Sequence, residues 1–517
     1  MALSEFRNEP FTDFSMPENI AAMEQALAAV RAEFGKHYPL IIGGERVSTE
    51  KTIDSLNPAR PSEVVGRVSS ASVGQANRAI EVANAAFASW RKVPAAQRAE
   101  YVFKAAAELR RRKFEMAAVM VYEVSKSWAE ADGDIAEAID FCEFYAREML
   151  RLAGPQKVYA LPGEDDRLEY VPLGAGVAIP PWNFPCAIMV GLVVAPVVAG
   201  NTIVLKPAST APIIAAKFME VLDTVGLPAG VVNFLPGPGG SVGDALVDHA
   251  LTRFIAFTGS KEIGLRIFER AAKHQPGQKW LKRTVLEMGG KDTIVVDETA
   301  DLAAAAEGIV ASAFGFQGQK CSACSRVVAV ERIYDELLDR VVERAGGLTV
   351  GDPTERSTYM GAVIDDKSRD KIRSYIDAGH QEGRLALGGE AQTEGGYFVQ
   401  PTIFADIPPG GKLSQEEIFG PVLAFIKASD YDQALEIANN TEFGLTGGVY
   451  SQDRGRLERA RADFHVGNLY LNRKITGAMV GAHPFGGFNM SGTDSKTGGP
   501  DYLLLYLQGK SIAEKVG

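Results

Sequence analysis

Cysteine is scarce in this sequence: Cys142, Cys186, Cys321 and Cys324 are the four in 517 residues. That is too few for a disulfide scaffold, and free thiols place the chain in a reducing compartment, the cytoplasm. Histidine is nearly as scarce. The six present (His37, His249, His274, His380, His465 and His483) show no ligand spacing, and HExxH and a second CxxC are both missing, so no metal site is expected. Long apolar runs are also lacking. The most apolar stretch, 187–200, holds 14 residues and contains Pro196, short of the roughly 18 that a membrane-spanning helix needs; it reads as a buried helix. The first ten residues carry Glu5, Arg7 and Glu9 and no apolar core, so no signal peptide is expected. Positive charge is in deficit, 54 Lys+Arg against 65 Asp+Glu for a net charge of -11, which argues against a nucleic-acid or anionic-membrane surface. No period of 20 to 50 residues recurs, which excludes a solenoid or propeller.

What remains is an ordinary globular composition, 46% hydrophobic and 23% charged, long enough for several domains at roughly 150 residues each. Ile20, Met23, Leu27, Val30 and Phe34 recur at spacings of three and four, predicting a helix over 16–35 that closes at Gly35. A first strand follows over 38–42, then helical patterns over 73–152, broken at Pro94. From Val171 the period changes. Short β-branched runs at 171–179, 202–205, 231–235 and 254–257 alternate with helical stretches, and a second alternation covers 293–296, 303–314, 326–330 and a helix from Tyr334. Such alternation is the mark of βαβ units, so two α/β domains in series are expected. The segment 157–173, with Pro162, Gly163, Glu164, Asp165 and Asp166 at its middle, reads as a protruding hairpin, and 502–507 as a further strand.

Chemistry collects at the ends of these strands, where α/β proteins bind ligands. After the run 171–179 come Pro180, Pro181, Trp182, Asn183, Phe184 and Pro185; the prolines stiffen the turn, and the Asn183 amide is a donor for an oxyanion or, equally well, for its own backbone. Lys206 ends the next strand and suits a ribose or phosphate, though solvated strand-end lysines are commoner. Gly237, Gly239 and Gly243 in GPGGSVG allow amides to approach a pyrophosphate, at a spacing one residue longer than the dinucleotide fingerprint. Gly259 and Ser260 open a helix, where capping alone explains the serine. Glu287 in LEMGGKD sits at a turn mouth, placed to take a proton from water, or to cap backbone amides. In GQKCSACSR, Lys320 next to Cys321 is expected to depress the thiol pKa and make a nucleophile. Cys324 is expected to be an inert core thiol.

The strings PWNFP, VLKPA, FTGS, LEMGGKD, GQKCSACSR, EEIFGPV and PFGG follow one another in this order, and over about residues 38–510 the chain resembles the NAD(P)-dependent aldehyde dehydrogenase superfamily. Within it, GQKCSACSR and TGAMVGAHPFGGFNMSGTDSKTGGPDYL resemble the monofunctional branch that oxidises L-glutamate γ-semialdehyde, the 1-pyrroline-5-carboxylate dehydrogenases. The resemblance implies an α/β fold of four parts: a helical arm (1–37), a Rossmann-like NAD(P)-binding domain (38–150 and 172–287), a catalytic domain (288–495), and a small β oligomerisation element of hairpin and strand (151–171 and 496–517). It implies Cys321 as nucleophile, Asn183 as oxyanion donor and Glu287 as base. Trp182, Lys206, Ser209, Gly243, Gly259, Ser260, Gly289, Glu417 and Phe419 would hold NAD. Glu137, Phe184, Lys320, Ser322, Gly477, Ala478 and Phe485 would hold L-glutamate γ-semialdehyde, with Lys320 and Ser322 at its α-carboxylate. Many NAD-preferring relatives carry an acid three residues after the VLKP lysine; here Ser209 stands there, so NADP is also expected to be accepted. A homodimer or larger homo-oligomer is implied, with no nucleic acid or membrane partner. Three other readings stay open at this point: another semialdehyde such as succinic semialdehyde, a catalytically dead relative, and a CxxC redox protein.

Overall fold

Two seven-stranded sheets organise the chain, seen in a computed structural model that describes residues 4–392 and 395–516. The first has the order Arg283–Glu287, Phe254–Thr258, Ala175–Ile179, Thr202–Leu205, Val232–Phe234, Leu40–Ile42, Glu45–Val47. Its first five strands are parallel, and the last two pairings, on either side of Leu40–Ile42, are antiparallel. Short β-branched strands joined by helices bury both faces, as parallel sheets require. The chain starts at Ala175–Ile179, winds outward to Val232–Phe234, then returns to the other side of its starting strand. The gap between the carboxyl ends of Ala175–Ile179 and Phe254–Thr258 is therefore the topological switch point, the place where such sheets open a crevice.

The second sheet runs Arg384–Leu387, Thr402–Ala405, Val422–Ala428, Cys324–Val330, Asp292–Val296, Thr446–Tyr450, Asn468–Leu471, parallel except at the first edge. Four helices, Val73–Trp90, Ala95–Arg111, Lys113–Val124 and Trp128–Leu152, fill the predicted helical region. The apolar helix Ala187–Val198 is buried except at Ile188, with Pro196 inside it, and among the described residues no helix is long and apolar enough to cross a membrane. The first helix spans Pro17–Ala32, with proline in its first turn, where its missing N–H costs nothing.

Three strand expectations need correction. The run 171–179 is two elements: Glu164–Pro172 and Ala175–Ile179. Between them Gly174 has φ 151°, and the Asn201 side-chain Oδ1 accepts from the Leu173 and Gly174 amides at 2.7 and 2.9 Å. The bend at this left-handed glycine ends the apolar run that periodicity alone reads as continuous. The segment 157–173 is not a self-paired hairpin. Glu164–Pro172 pairs along its whole length with Leu507–Lys515, and the preceding residues contribute only the Gln156 bridge to Leu168. Finally, Tyr502–Tyr506 is a 3-10 turn, and the strand starts at Leu507. Tyr502, Leu503 and Tyr506 are buried in the core of the first sheet, with Tyr506 edge-on to Phe254 and Tyr502 stacked on Tyr145. The apolar signal there marks core anchoring, whereas the strand itself is mostly exposed and polar.

Candidate active site

The crevice at the switch point is a cleft of about 420 Å³ lined by Trp182, Asn183, Thr258, Gly259, Ser260, Met288, Gly289, Cys321, Glu417 and Phe419. Except for Cys321, which precedes the strand Cys324–Val330, each lies at or just beyond the carboxyl end of a strand of the first sheet or in the 417–419 loop, so backbone geometry places it. Ser260 caps helix Lys261–Ala272, its hydroxyl accepting from the Ile263 amide. Glu417 is held from below by the Gly290 amide at 3.1 Å, and a Cβ on Gly289 would fall 2.5 Å from its carboxylate. Only glycine leaves room for that acid. Phe419 adopts φ 61°, a strained setting for an aromatic residue, and meets Trp182 edge-on at 5.4 Å.

Lys206, Ser209 and Gly243 do not line this cleft. Gly243 lies against the Lys206 stem, with its Cβ direction 3.6 Å from Lys206 Cε. Its amide donates internally to the Pro238 carbonyl at 3.3 Å, so it is not the free pyrophosphate donor that the glycine spacing suggests. Ser209 is exposed. Lys206 is 5% exposed, and among the described residues its ammonium has only the Pro207 carbonyl at 3.4 Å; burial pushes it down to about 8. A buried donor with no acid partner among the described residues and a half-buried acceptor at Glu417 fit the two hydroxyl-bearing riboses of a dinucleotide.

A second cavity of about 100 Å³ opens beside the cleft, and Cys321 lines both. Here the structure brings together Glu137, Phe184, Glu287, Ser322, Gly477, Ala478 and Phe485. Cys321 follows a tight loop in which Phe316, Gln317 and Gly318 all have positive φ (49°, 56° and 67°). That loop is held by the Gln317 amide donating to the Ser125 and Ala362 carbonyls at 3.0 and 2.8 Å. Asn183, buried, donates one amide hydrogen to the Gln319 carbonyl at 3.0 Å, which fixes its side chain and leaves the second hydrogen for a ligand. Glu287 ends a strand of the first sheet and accepts from the Ser495 hydroxyl, while its Oε2 is buried with no partner among the described residues. Burial pushes Glu287 up to about 8, against the opposing Ser495 hydrogen bond. Burial likewise raises Glu137, to about 8, with Asp134 adding to the effect.

Lys320 departs from expectation on both counts. Its ammonium pairs with Glu130 at 2.7 Å and does not line the cavity, so it is not a free carboxylate receptor. Nor does it depress the thiol. Burial raises Cys321 well above the ordinary thiol range, and the carboxylates of Asp292, Glu417 and Glu287 raise it further. Cys324 is buried, its Sγ donating to the Arg326 carbonyl at 3.3 Å. Sequence reading missed Thr258, Met288 and Ser368 in the cleft and Phe141, Ile188, Thr497 and Tyr502 in the cavity. Ser495, which orients the base, was visible only as one residue of the long C-terminal string.

The pattern of the aldehyde dehydrogenase family matches residues 46–512. The chain is 60% identical to 1-pyrroline-5-carboxylate dehydrogenase of Anoxybacillus flavithermus, covering 98% of this chain and 99% of the relative. It is 58% identical to 1-pyrroline-5-carboxylate dehydrogenase 1 of Halalkalibacterium halodurans, over 99% of both. A crystal structure of 1-pyrroline-5-carboxylate dehydrogenase from Thermus with bound NAD superposes with a TM-score of 0.98 at 53% identity, covering 100% of both chains. The chain belongs to the aldehyde dehydrogenase family.

Proposed function

We infer that this protein oxidises L-glutamate γ-semialdehyde, the open form of 1-pyrroline-5-carboxylate, to L-glutamate with NAD as oxidant, the second step of proline breakdown. The observation that carries the reading is the position of Cys321, shared by a dinucleotide-sized cleft and by a cavity holding Glu287, Ser322, Gly477 and Ala478. Full-length similarity to 1-pyrroline-5-carboxylate dehydrogenases supports it.

Cys321 Sγ adds to the aldehyde carbon and its proton is released; the carbonyl π pair moves to oxygen, where the free Asn183 hydrogen and the Cys321 backbone N–H receive the charge. Glu417 and Lys206 would hold the riboses of NAD+, with Gly259, Ser260, Gly289, Trp182 and Phe419 around it, and the cofactor would supply a two-electron acceptor for the hydride that leaves the former aldehyde carbon. The oxidised carbon is then a thioester on Cys321. Glu287 Oε2 takes a proton from water, the hydroxyl adds to the thioester carbon, and the C–S bond breaks to return the sulfur and release glutamate. The Gly477 and Ala478 backbone with Ser322 receives the substrate's α-carboxylate, and Glu137 and Phe184 flank its path. Exposed, uncharged Ser209 leaves room for a 2′-phosphate, so NADP+ also serves. The protein works in the cytoplasm as a homodimer or larger homo-oligomer joined through the Glu164–Pro172 and Leu507–Lys515 ribbon, whose outer edges have no strand partner among the described residues.

The test is NADH formation across an aldehyde panel that includes succinic semialdehyde. Glutamate semialdehyde should have the highest kcat/KM, and Cys321→Ala should lose at least about 10³-fold in kcat. Preference for another aldehyde, or turnover by the alanine variant, overturns the reading.

A further inference from the structure

The aldehyde cavity has two walls from distant parts of the chain. One is helix Trp128–Leu152, which presents Glu137; the other is the 472–487 loop, which presents Gly477 and Ala478. Gly477 and Gly481 bracket that loop segment with φ 76° and 78°, backbone settings that owe nothing to helix or strand. Something must hold its amides in place, because a small misplacement of binding groups is costly in rate.

Residues 4–15, before the first helix, lie across both walls. Asn8 donates from one side-chain amide to Asp140 Oδ2 at 2.8 Å and to the Val480 carbonyl at 3.0 Å. Asp140 is one turn after Glu137 on the helix, and Val480 is two residues after Ala478 on the loop. The Glu9 amide takes the other Asp140 oxygen at 2.6 Å. Asp140 and Val480 are 3% and 4% exposed and Asn8 is half-buried, so these bonds are partly shielded from water. Phe6 packs edge-on against Phe144 at 5.3 Å and closes over Gly481, where a Cβ would meet its ring at 3.1 Å. The arm is anchored independently, Glu9 to Arg110 at 2.8 Å and the Thr12 amide to Asp132 at 2.7 Å. It therefore stays attached if Asn8 is lost.

We propose that Asn8 is a positioning residue for substrate binding: it staples the helix wall to the loop wall of the aldehyde cavity and so aims the Gly477 and Ala478 amides at the substrate's carboxylate. The inference rests on the reading of this loop given above. It assigns the arm a share of substrate affinity and none of the chemistry or cofactor affinity.

The test is Asn8→Ala, with L-glutamate as a competitive inhibitor against the aldehyde. KM for glutamate semialdehyde and Ki for L-glutamate should both rise about tenfold, as expected for losing one partly shielded hydrogen-bonded link. The kcat and the NAD+ dissociation constant should stay within about twofold. Phe6→Ala, which keeps the staple but uncovers Gly481, should move KM and Ki the same way by about threefold and serves if Asn8→Ala folds poorly. Unchanged KM and Ki in Asn8→Ala, with wild type inhibited by L-glutamate, overturn the inference alone. Equal losses in kcat, NAD+ affinity and Tm overturn it as well, since they mark general support. A wild type that L-glutamate does not inhibit overturns the loop reading and the inference together.

Discussion

The nucleotide cleft and the aldehyde cavity meet at Cys321 but are built by different means. The cleft comes from short contiguous pieces at strand ends, residues 179–183, 257–260 and 288–289, with the 417–419 loop set opposite. Glycine and backbone geometry do most of the shaping. The cavity is assembled from side chains scattered between Glu137 and Tyr502, and its electrostatics depend on pairings no local string contains. Two lysines show the contrast. Lys206 beside the cleft is buried without an acid among the described residues, whereas Lys320 beside the cavity is committed to Glu130. A lysine next to a nucleophile in sequence says little about where its charge acts.

Four variants can break or sharpen that comparison. The largest effect is expected from Glu287→Gln, which should lower kcat by about 10²-fold through slow thioester hydrolysis and show a burst of NADH in stopped-flow absorbance. Because Glu287 is raised to about 8, its basic form grows as pH rises through that value. Wild-type kcat should therefore climb across that range, and the variant should lose this limb. Ser209→Glu comes next: an acid at the exposed ribose side should cut kcat/KM for NADP+ about tenfold and leave NAD+ within about twofold. Lys320→Met is the direct test of the cavity side. The pH midpoint of Cys321 alkylation by iodoacetamide should stay within about half a unit of wild type, since the ammonium is neutralised by Glu130; a larger upward move would restore the sequence expectation. The smallest effect belongs to Cys324→Ala, with about 1 kcal/mol lost in urea unfolding and kcat within about twofold. An effect as severe as that of Cys321→Ala would point to a CxxC redox pair.

How much of this was legible follows the same division. The βαβ alternation, the cleft glycines and the order of motifs are local, and the carboxyl ends of the parallel strands of the first sheet predicted from periodicity lie within one residue of their expected places. The Gly174 bend was hidden inside an unbroken apolar run. The partner of Glu164–Pro172 was hidden by distance, since an exposed polar strand such as Leu507–Lys515 carries almost no periodic signal. Asn8 was illegible for a similar reason: one polar residue in an irregular arm means nothing until Asp140 and Val480 are seen beside it.

The burial of Tyr502, Leu503 and Tyr506 in the first sheet's core also sets an order of events during synthesis. Arg283, on the edge strand of that sheet, donates to the carbonyls of Leu504, Leu505 and Leu507 at 3.0, 2.8 and 3.0 Å. These residues leave the ribosome only after the whole second sheet has been made. The first sheet must wait, its core unsealed and its apolar surface exposed, while a later domain already has every strand it needs. The domain begun first is thus finished last, and a nascent chain stalled after residue 490 should be the one most dependent on chaperones.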